Sequence, residues 1–509
     1  MPSVLLPKPI SPSTSLESTA NTLPPDHPFR TLVLCFDGTG DQFDADNSSI
    51  VEFFSMLKKD DPGKQLVYYQ AGIGTYTTPQ IATPLASTIS KNLDMAIAWN
   101  LDSHIMDKPS GYEFLMQNYQ AHDRICIFGF SRGAYTARCL AGMIHKVGLL
   151  PTCNHQQVPF AYKMYTTADD DGWKQSNAFK RAFSNSVEIE FLGVWQVFSS
   201  AQTAKTTRLT CSFFPHRDTV NSVGLIPRRL PFTTSNTVAN LWNRPNPVEQ
   251  TLSITDKKVQ KEAANSKPKK SPTGTHNGKE SLKALEAKYS KDKNAATDID
   301  EVWFAGCHCD VGGGSVSTGV QPCLARIPLR WMVRECFRTN SGILFHIDGL
   351  KKIGLDPAAL YPVVLPRPPA LPLDHYSPET SVIQTVPKVA PLPVYDDDDV
   401  HVDDVPQESE ELLDRKDSLA PIYDQLSLAW FWWILEYIPF RNRFQQSDHT
   451  WTTKPTLNRG QGRFIPKQKS RGVRIHRSVK TRLEATHADG SPYKPKVENL
   501  DMSRVTWVD

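Results

Sequence analysis

Arg124-Ile-Cys-Ile-Phe-Gly-Phe-Ser-Arg-Gly-Ala-Tyr-Thr-Ala-Arg138 is the stretch on which the reading of this chain turns. Ile125 to Phe130 is a short apolar run, the signature of a buried strand. It ends at Gly129-Phe130-Ser131-Arg132-Gly133, after which Ala134 to Val147 spaces Ala, Leu and Met for one buried helical face. A strand, a tight turn with a serine between two glycines, and a helix together make a nucleophile elbow. Neighbouring backbone passes so close to such a turn that only glycine, without a Cβ, fits on either side. The turn lifts the serine hydroxyl above the sheet edge, and the following helix aims its N-terminal N–H groups at the same place. Ser131 is therefore the candidate nucleophile, and the N–H of Arg132 a candidate oxyanion donor.

The rest of the chain supplies the sheet around that strand. Thr31 to Phe36 is strand-like and runs into Asp37-Gly38-Thr39-Gly40-Asp41. A haloacid dehalogenase phosphatase would need Asp at position 35, where this chain has Cys35. The loop is better read as a strand-end glycine turn beside Ser131, with Gly38 and Thr39 offering the second oxyanion N–H. Gln65 to Ala71 is a further strand, Ile89 to Tyr119 a helical region interrupted near Lys108-Pro109-Ser110, Val187 to Trp195 a fourth strand and Glu301 to Gly306 a fifth. Apolar strands alternating with helices predict an α/β fold: an α/β-hydrolase-like, mostly parallel sheet covered by helices on both faces, with long disordered insertions. In such sheets the chemistry sits beyond the carboxyl ends of the strands. His308, in Cys307-His308-Cys309-Asp310-Val311-Gly312-Gly313-Gly314 after the fifth strand, is the candidate base; His476, which no clear strand end precedes, is its rival. The acid should follow the fourth strand at once, but Gln196 stands there, and an amide does not replace a carboxylate beside an imidazolium. The next carboxylate is Asp218.

Composition narrows the classes. The chain has 509 residues and a net charge of +3, so nothing global points to nucleic acid. Nine cysteines without regular spacing read as reduced thiols, and Cys307-His308-Cys309 lacks zinc-ligand spacing, so neither a metal nor an organic cofactor is expected. Met1 to Pro28 lacks the pattern of a signal peptide, and no apolar stretch is long enough to span a bilayer. A cytoplasmic, membrane-peripheral protein is expected. Leu426 to Phe440, with Trp430, Phe431, Trp432 and Trp433, reads as a buried helix, with a lipid-facing segment or lid as the alternative.

Five motifs in order resemble one family: Cys35-Phe36-Asp37-Gly38-Thr39-Gly40, Tyr69-Gln70-Ala71-Gly72-Ile73-Gly74-Thr75, Gly129 to Ala134, Asp218-Thr219-Val220, and Val302 to Gly314. The chain resembles the fungal branch of a family of uncharacterised α/β-hydrolases that includes the phospholipase effectors of bacterial type VI secretion. The resemblance covers roughly 30–247 and 301–350, with a weaker likeness over 430–483. It implies a Ser/Asp/His triad of Ser131, Asp218 and His308, and a lipid ester as substrate. Two departures stand out. In the family the fourth strand runs straight into Asp-Thr-Val; here Gln196 to Arg217 intervenes, without strand or helix periodicity, as a retained intron would. After Thr237 the family's helix of the form His-Ala-x-x-Leu-Asp-Glu-Arg-Arg is absent.

The expected organisation is a disordered segment over 1–29 and a catalytic domain over 30–350, interrupted by the anomalous insertion at 196–217 and a Lys-rich disordered one at 254–298. A Pro-rich and acidic linker follows over 351–422, then an aromatic and basic part packing on the domain over 423–485 and a tail over 486–509. The expected activity is that of a serine esterase or lipase, with a catalytically impaired interaction protein as the alternative. Its expected partner is a small-molecule or lipid ester, with peripheral membrane contact.

Overall fold

The computed structural model describes residues 21–509 except 26, 39–40, 73–109, 168, 197–207, 213–297, 374–380, 389–390, 395–407, 446–450, 466–471 and single positions or pairs between 429 and 499. Six parallel strands form the main sheet. They are β1 (Thr31–Phe36), β2 (Gln65–Gln70), β3 (Arg124–Phe130), β4 (Phe191–Gln196), β5 (Arg208–Ser212) and β6 (Ile299–Asp300), in the spatial order β2-β1-β3-β4-β5-β6. A three-stranded parallel sheet follows from β7 (Val302–Trp303), β8 (Val473–His476) and β9 (Val505–Val508), with β8 in the middle.

The strands read as unbroken apolar runs because both faces are covered. Val33, Cys35, Cys126 and Phe128 point into one core, with α1 (Ser49–Ser55) and α7 (Arg326–Arg338). Leu32, Leu34, Ile125 and Ile127 point into the other, with α2 (Gly111–Asn118), α3 (Arg132–Val147) and α4 (Val158–Thr166). Alternate residues of one strand thus serve opposite layers, as a period of two requires. The parallel α/β architecture expected of an α/β-hydrolase-like fold is present. Of the helical region expected over Ile89 to Tyr119, α2 lies within the described residues, started by the Ser110 hydroxyl accepting from the Glu113 N–H at 3.2 Å.

Four stretches differ from expectation. The strand predicted from Val187 starts at Phe191, because the chain leaving α5 (Asp170–Phe183) first pairs Asn185 with Leu149 before it enters the sheet between β3 and β5. The aperiodic insertion contains β5, which pairs in parallel with both β4 and β6; backbone pairing needs no side-chain pattern, which is why periodicity did not disclose it. Within the stretch read as a linker lies a helix, α8 (Glu410–Ser418), and within the stretch read as a tail lies β9. Helix α8 is fastened to α7 by buried ion pairs: Arg330 reaches Asp414 and Asp417 at 2.6 Å each, and Arg334 reaches Glu410. No helix among the described residues is long and apolar enough to cross a membrane.

Candidate active site

The site is assembled where β1, β3 and the segment after β7 end. Strand β3 stops at Phe130, and Ser131 takes φ +54° and ψ −120° before α3 begins at Arg132. A positive φ at a non-glycine residue is costly and persists only where the surroundings impose it. Here they do so from both sides. A Cβ on Gly133 would lie 2.2 Å from the Phe36 carbonyl oxygen, and one on Gly129 would lie 2.4 Å from the Gly133 carbonyl oxygen. The Ser131 N–H donates to the Trp195 carbonyl at 3.0 Å, which ties the turn to the end of β4. The Ser131 side chain makes no cap bond to its own helix, so its hydroxyl is left for other work.

That work is with His308. Its Nε2 lies 2.8 Å from the Ser131 Oγ. His308 opens the short helix α6 (His308–Gly312), after Gly306 turns the chain at φ +117°. Helix α6 is locked by Asp310, whose Oδ2 accepts from the Cys307 N–H at 2.7 Å and whose two carboxylate oxygens accept from the Tyr423 N–H at 3.2 Å. Burial pushes the Asp310 carboxyl up to about 6, against the opposing pull of those N–H donors and of Arg482. The imidazole of His308 stacks on Phe130, with ring centroids 4.8 Å apart and planes at 29°.

The glycine loop after β1 is organised by a second buried carboxylate. Asp37 accepts from the Gly38 N–H at 2.8 Å, the Ser48 hydroxyl at 2.6 Å and the Tyr69 hydroxyl at 2.7 Å. Burial raises its pKa, and these three donors pull it back down. The Gly38 N–H therefore faces the Asp37 carboxylate in this structure, while Thr39 lies outside the described residues. Arg132 begins α3, so its backbone stands at the helix end whose N–H groups have no acceptor within the helix.

Two candidates remain. Asp218 lies outside the described residues. His476 does end a strand, contrary to the reading that none precedes it, because the basic run before it conceals the alternation of Val473 and Ile475. It is 1 % exposed, stacks on Phe304 at 5.0 Å and accepts through Nδ1 from the Ser478 N–H at the start of α9 (Arg477–Glu484). Burial pushes it down to about 3, against the opposing charge of Asp414, so it stays neutral and holds structure. Residues that sequence reasoning left without a role are Phe130, Asp37, Tyr69 and Asp310. All lie in motifs quoted above, and what singles them out is where their side chains meet. Of the aromatic stretch, Trp430 and Tyr437 are exposed and Leu426 is buried, so a wholly buried helix is not what forms there; a helix spans Gln425–Leu428.

Residues 30–335 match the family model described as "T6SS, Phospholipase effector Tle1-like, catalytic domain". An uncharacterised protein of Saccharomyces cerevisiae is 25% identical over 560 residues, which cover 89% of this chain and 79% of that protein. A crystal structure of an uncharacterised protein from Pseudomonas aeruginosa is similar over 62% of this chain and 46% of its own, at 15% identity and a TM-score of 0.26.

Proposed function

We propose, for a chain that belongs to the family of type VI secretion Tle1-like phospholipase effector catalytic domains, that it is a serine hydrolase cleaving a carboxylic ester of a lipid, most simply a phospholipid. One observation carries the reading: Ser131 Oγ and His308 Nε2 stand 2.8 Å apart at the end of a parallel sheet. In the reaction the Ser131 oxygen attacks the acyl carbon while His308 Nε2 takes its proton. The negative charge that develops on the carbonyl oxygen is met by the Arg132 N–H and, once the Gly38 N–H is released from Asp37, by a second donor from the loop at Gly38 and Thr39. Collapse of the intermediate expels the alcohol, to which His308 returns the proton. Water then repeats the sequence on the acyl-enzyme and frees the acid. Asp218 is the residue we assign to orient His308. A lipid substrate brings peripheral membrane contact with it, and the proposed compartment is the cytoplasm.

A fluorophosphonate probe tests the reading. Labelling of the native chain but not of Ser131→Ala, together with release of fatty acid from phospholipid vesicles, is the expected result. No labelling and no release from any of a panel of lipid and short-chain esters would remove it. Gln196, standing where the acid belongs, favours a second reading in which the chain is impaired and acts through partners. No labelling of the folded native chain, with labelling gained in Gln196→Asp, would select that second reading.

A further inference from the structure

Phe130 precedes the nucleophile, and its ring is where three loops of the site meet. The His308 imidazole stacks on it at 4.8 Å. A Cβ on Gly312, at the far end of α6, would lie 1.8 Å from the ring. A Cβ on Gly38, in the loop after β1, would lie 2.8 Å from Cδ1 and 3.0 Å from Cε1 on the ring's opposite edge. Glycines from two separate loops are thus pressed against one aromatic side chain, itself 1 % exposed. Close-packed interiors transmit a change of one methylene to their neighbours, so this ring sets where both loops stand.

We infer that Phe130 is a positioning residue: its ring is the spacer that fixes the plane of the His308 imidazole and its distance to the Gly38 loop. The inference rests on the serine-hydrolase reading for its kinetic consequence, but not for its geometry. The ring does not reach substrate, because it is buried. Its effect falls on the chemical step and spares binding. A misplacement of about 1 Å in such a constellation costs on the order of a hundredfold in rate.

The test is a pair of substitutions that exchange volume across the contact. Phe130→Leu is expected to lower kcat by about 10- to 100-fold with KM changed less than about threefold. Gly312→Ala is expected to do the same, because its methyl displaces the ring. The double variant is expected to regain at least about tenfold over Gly312→Ala, since the smaller side chain makes room for the methyl. Losses that simply multiply in the double variant, or a KM that moves with kcat, overturn the inference. A second measurement stands apart from turnover and from folding of the variants. In the intact chain labelled at histidine ring carbons, the His308 ring protons are expected upfield of ordinary histidine positions, shielded by the stacked Phe130. Unshielded His308 protons overturn the inference whatever the activity. Shielded protons in a chain that neither labels nor turns over would leave the positioning standing and remove the hydrolase reading alone.

Discussion

The Nε2 of His308 is 2.8 Å from the Oγ of Ser131, although 177 positions separate the two in the chain. The contact exists because each residue lies past the end of a parallel strand, Ser131 after β3 of the main sheet and His308 after β7 of the three-stranded one. The turn at Ser131 is held by β4 through the Trp195 carbonyl. The turn before His308 is held by Asp310. Neither residue depends on a flexible side chain to find the other, which is the preorganisation that acyl transfer requires.

Ser131→Ala is expected to abolish fluorophosphonate labelling and lower ester hydrolysis by at least about 10³-fold. The fold should survive, since the Ser131 hydroxyl caps no helix. Circular dichroism reports the fold, and residual labelling at another residue would refute the assignment of the nucleophile.

His308→Ala is expected to cost about 10³- to 10⁴-fold and to remove the limb of the pH–rate profile near neutrality. His476→Ala is expected to leave that limb in place, because His476 is buried away from Ser131 and stays neutral. A profile in which the two variants exchange behaviour would reverse the roles.

Gly133→Ala is expected to inactivate the protein and lower its stability by about 2 kcal/mol or more. The added methyl would meet the Phe36 and Asp37 carbonyl oxygens at 2.2 and 2.5 Å, and backbone cannot swing aside as a side chain does. Chemical denaturation together with labelling checks both consequences; a fully active, equally stable variant would contradict the packing described.

Asp310 links stability to pH. Burial raises its folded-state pKa from about 3.8 to about 6, so the folded protein holds that proton more tightly than the unfolded chain does. Its ionisation therefore costs stability as pH rises from about 4 through 6, and the penalty is fully present above 6. Relative to Asp310→Asn, which does not titrate, the native chain should gain about 2 kcal/mol between pH 7 and pH 4.5. Urea unfolding of both proteins at the two pH values measures this, and an unchanged difference would show that Asp310 does not titrate in that range.

The α7–α8 ion pairs act in the opposite sense. Burial alone would raise the Asp414 pKa, but Arg330 and Arg367 outweigh it and hold the carboxyl well below its usual range. Its contribution is thus present above about pH 4 and is lost as the solution becomes more acidic. Arg330→Met, which leaves Asp414 and Asp417 buried without that guanidinium, should cost about 3–5 kcal/mol. Thermal unfolding at neutral pH checks this, and a loss below about 1 kcal/mol would mean that water replaces the arginine.

Local chemistry was enough to disclose the strand-turn-helix around Ser131 and Arg132, because a tight turn dictates glycine at its neighbours and a doubly covered strand dictates a run of apolar residues. It was enough to place His308 beyond a strand end too, since a histidine followed by glycines after an apolar run marks one. What stayed hidden depends on partners remote in the chain. Strand β5 owes its place to pairing with β4 and β6, and backbone hydrogen bonds leave no mark on residue type. Helix α8 hides in an acidic stretch because its carboxylates are neutralised by arginines roughly 80 positions away. Asp37 and Asp310 look alike on paper to any other aspartate; only folding surrounds them with donors and turns them into the clamps of the two loops. The sequence by itself determined where the serine turn stands and which residues would cover the sheet, since those follow from each residue and its nearest neighbours. Which histidine meets the serine was decided by tertiary structure alone, because burial neutralises His476 while the turn after β7 brings His308 within a hydrogen bond of Ser131.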